Sequence, residues 1–186
     1  MSLPYLDIPS LLHQYGLHPN KSLGQNFLLD DSALKQVVET AGISNQDTVL
    51  EIGAGLGSLT RHLALAAQAV VAVELDNRLL PALRQVLTPF NNINIVHGDI
   101  LALDPAQLIH SPGYLVVANI PYYITSALIR HLLESPCTPS CLVLTVQKEV
   151  AQRICAAPGD LSLLALSVQV YGQPRIAAHI PAGAFY

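Results

Sequence analysis

Short apolar runs alternate with stretches whose apolar residues recur three and four apart, and this alternation continues down most of the chain. Five runs read as buried strands, at 48–52, 69–74, 93–97, 114–118 and 141–146. Between them the helical spacing predicts helices at 58–67, 78–87 and 125–134. An earlier helix runs to about Thr40, with Asp30 or Asp31 as its cap, an apolar face of Ala33, Leu34, Val37 and Val38, and Gly42 as its stop. Two later helices are expected at Lys148–Cys155, with Glu149 in the favourable first turn, and over 161–171. Ile176–Ile180 reads as a short final strand. Residues 1–20 read as an irregular lead-in, with Pro4, Pro9, Gly16 and Pro19 around Leu11-Leu12-His13. Strands alternating with helices imply an α/β fold with a mostly parallel sheet covered on both faces. Ligands then belong at the C-terminal ends of the strands.

Those ends carry the chemistry. Val49-Leu50-Glu51-Ile52 runs into Gly53-Ala54-Gly55-Leu56-Gly57-Ser58, and a helix follows. Strand, glycine turn and helix is the layout in which backbone approaches a ligand closely, although G-x-G-x-G differs from the dinucleotide-binding G-x-G-x-x-G. The second strand ends in Glu74, with Asp76 close behind, where an acid accepts from two ribose hydroxyls. The third ends in Gly98-Asp99, an acceptor for an adenine amine. The fourth ends in Asn119-Ile120-Pro121-Tyr122. Pro121 fixes its own φ and pushes Ile120 out of the helical region, so carbonyls and the Asn119 amide converge on one point beside the Tyr122 ring. A polar clamp beside an aromatic face suits a planar base with an exocyclic amine.

Composition narrows the setting. A chain of 186 residues supports one domain and a core that needs no disulfide staples. Hydrophobic residues make up 51% and charged residues 12%, a greasy surface that hints at a missing partner or segment. The three cysteines form no C-x-x-C pair and the seven histidines are scattered, so no metal site is expected and the compartment reads as reducing. No apolar run approaches the length of a membrane span, and the start lacks a secretory pattern. The net charge of −4, with nine dispersed Lys and Arg, argues against tight nucleic-acid binding by this chain alone. Contacts to such a partner are then few and placed by folding, or come from another segment.

Together the segments Lys21-Ser22-Leu23-Gly24-Gln25-Asn26-Phe27-Leu28, Glu51 to Gly57, Glu74-Leu75-Asp76, Gly98-Asp99, Asn119 to Tyr123 and Gln147 to Arg153 resemble the ribosomal RNA adenine dimethyltransferase family. The resemblance runs from about Lys21 to the C-terminus. Tyr122-Tyr123 after the Asn-Ile-Pro is more similar to the small-subunit branch than to the antibiotic-resistance branch. The resemblance implies a Rossmann-like methyltransferase fold that uses S-adenosylmethionine to convert two adjacent adenosines to N6,N6-dimethyladenosine. It implies cofactor contacts from Asn26, Leu28, Gly53, Gly55, Glu74, Asp99 and Asn119. It assigns catalysis to Asn119, Pro121 and Tyr122, with Phe185 of the terminal Gly-Ala-Phe stacking on the base opposite Tyr122. The implied partner is small-subunit ribosomal RNA or a pre-ribosomal particle, engaged by a cytoplasmic monomer without a metal.

The resemblance also sets an expectation for the domains. Residues 21–186 correspond to the catalytic domain. Family members continue beyond the Gly-Ala-Phe with a further strand and a small helical domain that carries much of the RNA surface. Both are therefore expected to be absent, leaving strand 141–146 with an open edge. An alternative reading is a non-catalytic cofactor-binding module in ribosome assembly or organellar transcription. A third, methylation of adenine in DNA or of a small molecule, is disfavoured by the Lys21–Leu28 segment.

Overall fold

The strand Thr48–Ile52 (β1) is the centre of the molecule because it is buried on both faces, with Val49 and Leu50 fully enclosed. The computed structural model describes residues 3–20, 23–110, 112–120 and 124–186. Ala69–Glu74 (β2) and Leu115–Asn119 (β4) flank β1, with Ile93–His97 (β3) and Cys141–Thr145 (β5) outside them. All pairings are parallel and the order is β3-β2-β1-β4-β5. The expected α/β class and its parallel sheet are therefore present. The chain turns outward in both directions from β1, so a crevice opens where β1 and β4 diverge at their C-terminal ends.

Asp31–Ala41 (α2), Ser58–Ala66 (α3) and Leu80–Leu87 (α4) cover one face, packing Leu34, Leu63 and Leu83 onto Val49, Val70 and Val117. Thr125–Leu133 (α6) covers the other, with Leu128 and Leu132 against Leu50, Ile52 and Val116. Asp30, not Asp31, caps α2 by accepting the Ala33 N–H at 2.8 Å, and Gly42 ends it at φ 61°. Lys148–Ile154 (α7) and Leu163–Gln169 (α8) form a satellite on α6, joined by Ile129, Ile154 and Val168. Among the described residues, no helix is long and apolar enough to cross a membrane.

The structure departs from the sequence reading in three places. Residues of the lead-in form a helix, Ile8–Gln14 (α1), where irregular chain was expected. Asp7 caps it through the Ser10 N–H at 3.0 Å, Pro9 fits its first turn, and Ile8 and Leu12 bury one face beside Leu56 and Leu79. Asp104 likewise caps a single turn, Pro105–Leu108 (α5), in what reads as loop. Ile176–Ile180 forms no strand. A strand needs a ladder partner, and Pro174 and Pro181 on either side of the segment remove N–H donors. Among the described strands β5 pairs only with β4.

Candidate active site

The glycine turn after β1 is pinned to the neighbouring strand, because Gly53 and Ala54 both donate to the Val73 carbonyl, at 2.9 and 3.2 Å. Gly53, Gly55 and Gly57 adopt φ of 78°, 60° and 85°, values that glycine reaches without strain. The turn is also tightly packed. A Cβ on Gly55 would come within 3.1 Å of the Phe27 ring, and one on Gly57 within 3.2 Å of Leu83 and Leu87. Helix α3 then begins at Gly57 without a side-chain cap.

Glu74 at the tip of β2 is 5% exposed and is held by the same turn. Its Oε2 accepts the Gly55 N–H and its Oε1 the Asp76 N–H, both at 2.7 Å. Burial pushes its carboxyl up, and the N–H donors of Asp76 and Gly55 oppose that. Asp99, exposed after β3, accepts the Leu101 N–H at 2.9 Å and so orders the turn in which it sits. At the end of β4 the Asn119 Nδ2 donates to the Asn26 carbonyl at 2.9 Å. That bond fixes which way the carboxamide faces and leaves its Oδ1 as an acceptor.

Residues 23–28 wall one side of the cleft. Phe27 and Leu28 are buried, and Gln25 Nε2 donates to Asp76 Oδ2 at 2.9 Å. Asp76 also takes a two-pronged contact from Arg78, at 2.9 and 2.6 Å, and these bonds hold its carboxyl at about 2. From the other end of the chain, Ala184 accepts from Leu29 at 2.8 Å, and Tyr186 donates to Phe27 at 2.8 Å. Leu28 and Phe185 thereby form an antiparallel bridge.

One cleft brings together Asn26, Leu28, Gly53, Gly55, Glu74, Asp99 and Asn119, the residues expected from the sequence to contact a cofactor. Phe185 is not among the residues lining it; it is half-buried against the core cluster that contains Leu28. Pro121 and Tyr122 lie outside the described residues. Phe27 and Glu51 are among the members of the cleft wall that sequence reasoning did not assign to the site. Glu51 is 1% exposed, and burial pushes its carboxyl up to about 8. Its signal was in plain view, an acid in the middle of an apolar strand. Among the described residues, no group of three or more His, Cys, Asp or Glu is arranged to hold a metal.

Comparison with known proteins extends this geometry. The family model for ribosomal RNA adenine dimethylase matches residues 16–186. Ribosomal RNA small subunit methyltransferase A of Dehalococcoides mccartyi is 44% identical over 186 residues, covering 96% of this chain and 64% of the relative. Its counterpart in Ligilactobacillus salivarius is 46% identical, covering 87% of this chain and 56% of the relative. This chain thus spans somewhat less than two thirds of the length of those relatives. Among solved structures, the 23S rRNA methyltransferase ErmE aligns with a TM-score of 0.65 at 36% identity, over 74% of this chain and 54% of that one. A dimethyladenosine transferase from Plasmodium falciparum aligns at 0.66 and 31% identity, over 76% and 51%. The matched stretch contains the whole sheet and every residue of the cleft, so the chain belongs to the ribosomal RNA adenine dimethylase family.

Proposed function

We propose that this chain binds S-adenosylmethionine and transfers methyl groups to N6 of adenosines in small-subunit ribosomal RNA, giving N6,N6-dimethyladenosine. The observation that carries the reading is Asn119, held by the Asn26 carbonyl at the mouth of the cleft with its Oδ1 left to accept. The cleft suits the cofactor. Glu74 lies where ribose hydroxyls need an acceptor, and Glu51 Oε2 is a buried acceptor with no partner among the described residues. A Cβ on Gly53 would sit 3.5 Å from the Asn119 carbonyl, so the groove between those two positions is bounded by backbone.

When bound, S-adenosylmethionine supplies a sulfonium methyl as the electrophile. An adenine N6 lone pair is delocalised into its ring and is a poor nucleophile at rest. By accepting one N6–H, Asn119 Oδ1 draws the nitrogen towards sp³ geometry and aims its lone pair. Orientation of this kind accounts for a large part of a bimolecular barrier. No strong base is needed, because the N6 proton becomes acidic as the bond forms and passes to solvent. Tyr122 is the proposed face on which the flipped base stacks, worth roughly 1–3 kcal/mol. Phe185, on the segment joined to Leu28, is the proposed second aromatic. The substrate places the work in the cytoplasm, with the chain acting as a monomer on ribosomal RNA or a pre-ribosomal particle.

The test supplies the chain with methyl-labelled cofactor and, in parallel, unmethylated small-subunit particles, naked ribosomal RNA and DNA. Label is expected in dimethyladenosine of the RNA and not in DNA. Asn119→Ala is expected to reduce transfer about 100-fold while changing cofactor affinity much less. Cofactor binding with no label in either RNA sample, or equal label in DNA, overturns the reading.

A further inference from the structure

The turn that presents Asp99 is held from outside the cleft. Gly98 to Leu101 line the cleft wall, while Leu103 and His131 are not among its lining residues. The start of the turn is tied to β2: Gly98 donates to the Glu74 carbonyl at 3.0 Å, and His97 Nε2 donates to the Leu75 carbonyl at 3.2 Å. The turn closes at Leu103, whose N–H reaches back to the Asp99 carbonyl at 3.0 Å. The Leu103 side chain also presses on the opening residue, since a Cβ on Gly98 would come within 2.9 Å of Leu103 Cδ1. Moving Leu103 therefore moves Asp99.

Leu103 is in turn fixed by a side chain from a different element. Its carbonyl accepts from His131 Nε2 at 2.9 Å, and because a carbonyl can only accept, that ring nitrogen carries the hydrogen. His131 is half-buried on α6, next to Leu132, which packs on the sheet. The chain enters α6 after leaving Asn119 at the end of β4. The bond thus joins the helix beyond the Asn119 loop to the turn that carries Asp99. One hydrogen bond contributes little to global stability, yet it decides where a single turn of loop rests.

We propose that His131 is a positioning residue for cofactor selectivity: through the Leu103 carbonyl it places the Asp99 carboxylate to accept from the exocyclic amine of adenine. The proposal rests on the cofactor reading above, with Asp99 at the adenine end. Asp99 is exposed and its Oδ1 takes the Leu101 N–H at 2.9 Å, so the direction of Oδ2 follows the turn. With the turn held, an amine finds an acceptor in line, and a keto oxygen in its place meets a carboxylate that repels it. With the turn released, hydrogen bonds fall off line and weaken steeply, and the two bases are no longer told apart.

The experiment is calorimetric titration of the whole chain with S-adenosylhomocysteine and with S-inosylhomocysteine, in which a keto oxygen replaces the amine. The wild-type chain is expected to prefer the adenosyl ligand by about 10- to 100-fold, the size of a hydrogen bond to a charged group. His131→Phe keeps a ring and removes the donor, and is expected to reduce that preference to about threefold or less. His131→Gln returns a side-chain N–H at similar reach and is expected to keep the preference within about threefold of wild type. A role confined to stability would lower Tm and both affinities and leave their ratio unchanged. Should His131→Phe not fold, His131→Ala removes the same donor without adding bulk. An unchanged preference in the donor-free variant, or its loss in His131→Gln as well, overturns the role of His131 and leaves the cofactor reading standing. A wild-type chain that binds both ligands equally removes the adenine role of Asp99 and the proposal with it. A folded chain that binds neither removes the cofactor reading itself.

Discussion

Asp76 fastens the segment around Gln25 to the end of β2, and the size of its contribution follows from its bonds. The side chain is 5% exposed; Oδ2 accepts from Gln25 at 2.9 Å and from Arg78 at 2.6 Å, and Oδ1 accepts from Arg78 Nε at 2.9 Å. The Arg78 bond is the largest cause of a carboxyl held at about 2 instead of 3.8; burial opposes it and Gln25 adds to it. One unit corresponds to about 1.4 kcal/mol, so the full shift is roughly 2.5 kcal/mol as an upper bound. The Arg78 side chain is 50% exposed, and solvent screening reduces this to about 1–2 kcal/mol. Asp76→Asn keeps the shape and removes the charge, so it is expected to lose that much at pH 7, read from the urea midpoint at unchanged slope.

The sign of the pH dependence is a stricter check. A depressed pKa gives stability that is present above about 3.8 and is lost as pH falls through about 2. The gap between wild type and Asp76→Asn should therefore close over that interval. Gln25→Ala combined with Asp76→Asn should cost less than the sum of the two, because both weaken the same charge-assisted bond. An equal cost at pH 2 and pH 7, or additive losses, refutes the reasoning.

Three further outcomes are expected. Gly55→Ala introduces a Cβ at φ 60°, 3.1 Å from Phe27, so cofactor affinity measured calorimetrically should fall tenfold or more, with strain of about 1–2 kcal/mol. Leu63→Ala empties a fully enclosed site between α3 and the sheet and should cost about 3–5 kcal/mol in denaturant unfolding. Asp30→Ala removes the acceptor for the Ala33 N–H and should cost about 1 kcal/mol in the same assay.

The strands were readable because a parallel sheet covered on both faces forces continuous apolar runs, and β1 to β5 all lie where those runs occur. Glu74 and Gly53 were readable for the same reason, since each stands where such a run stops. Helix α1 was masked by its prolines, although Asp7-Ile8-Pro9-Ser10 is itself a helix-start signal, an acid cap followed by Pro in the first turn. Ile176–Ile180 misled because a strand is a property of a pair, and the segment has the composition of one without a ladder. The bridge of Leu28 to Phe185 and the bond from Asn119 to the Asn26 carbonyl could not be read at all. The first joins main-chain atoms and the second a side-chain amide to a main-chain carbonyl, each across segments remote in sequence, and no local pattern encodes either.

That bridge bears on how the protein is made. The segment Phe27 to Asp30, which begins in the cleft wall, exchanges backbone bonds with Ala184 to Tyr186, which leave the ribosome well after the sheet. The sheet can assemble while translation continues, since its strands lie within residues 48–145. Residues 27–30 must wait, their N–H and C=O groups solvated, until residues 184–186 arrive. Contacts of such long sequence separation form late in folding. A nascent chain arrested before Ala184 would hold a formed sheet and an unfinished cleft, so competence for ligand trails the assembly of the sheet.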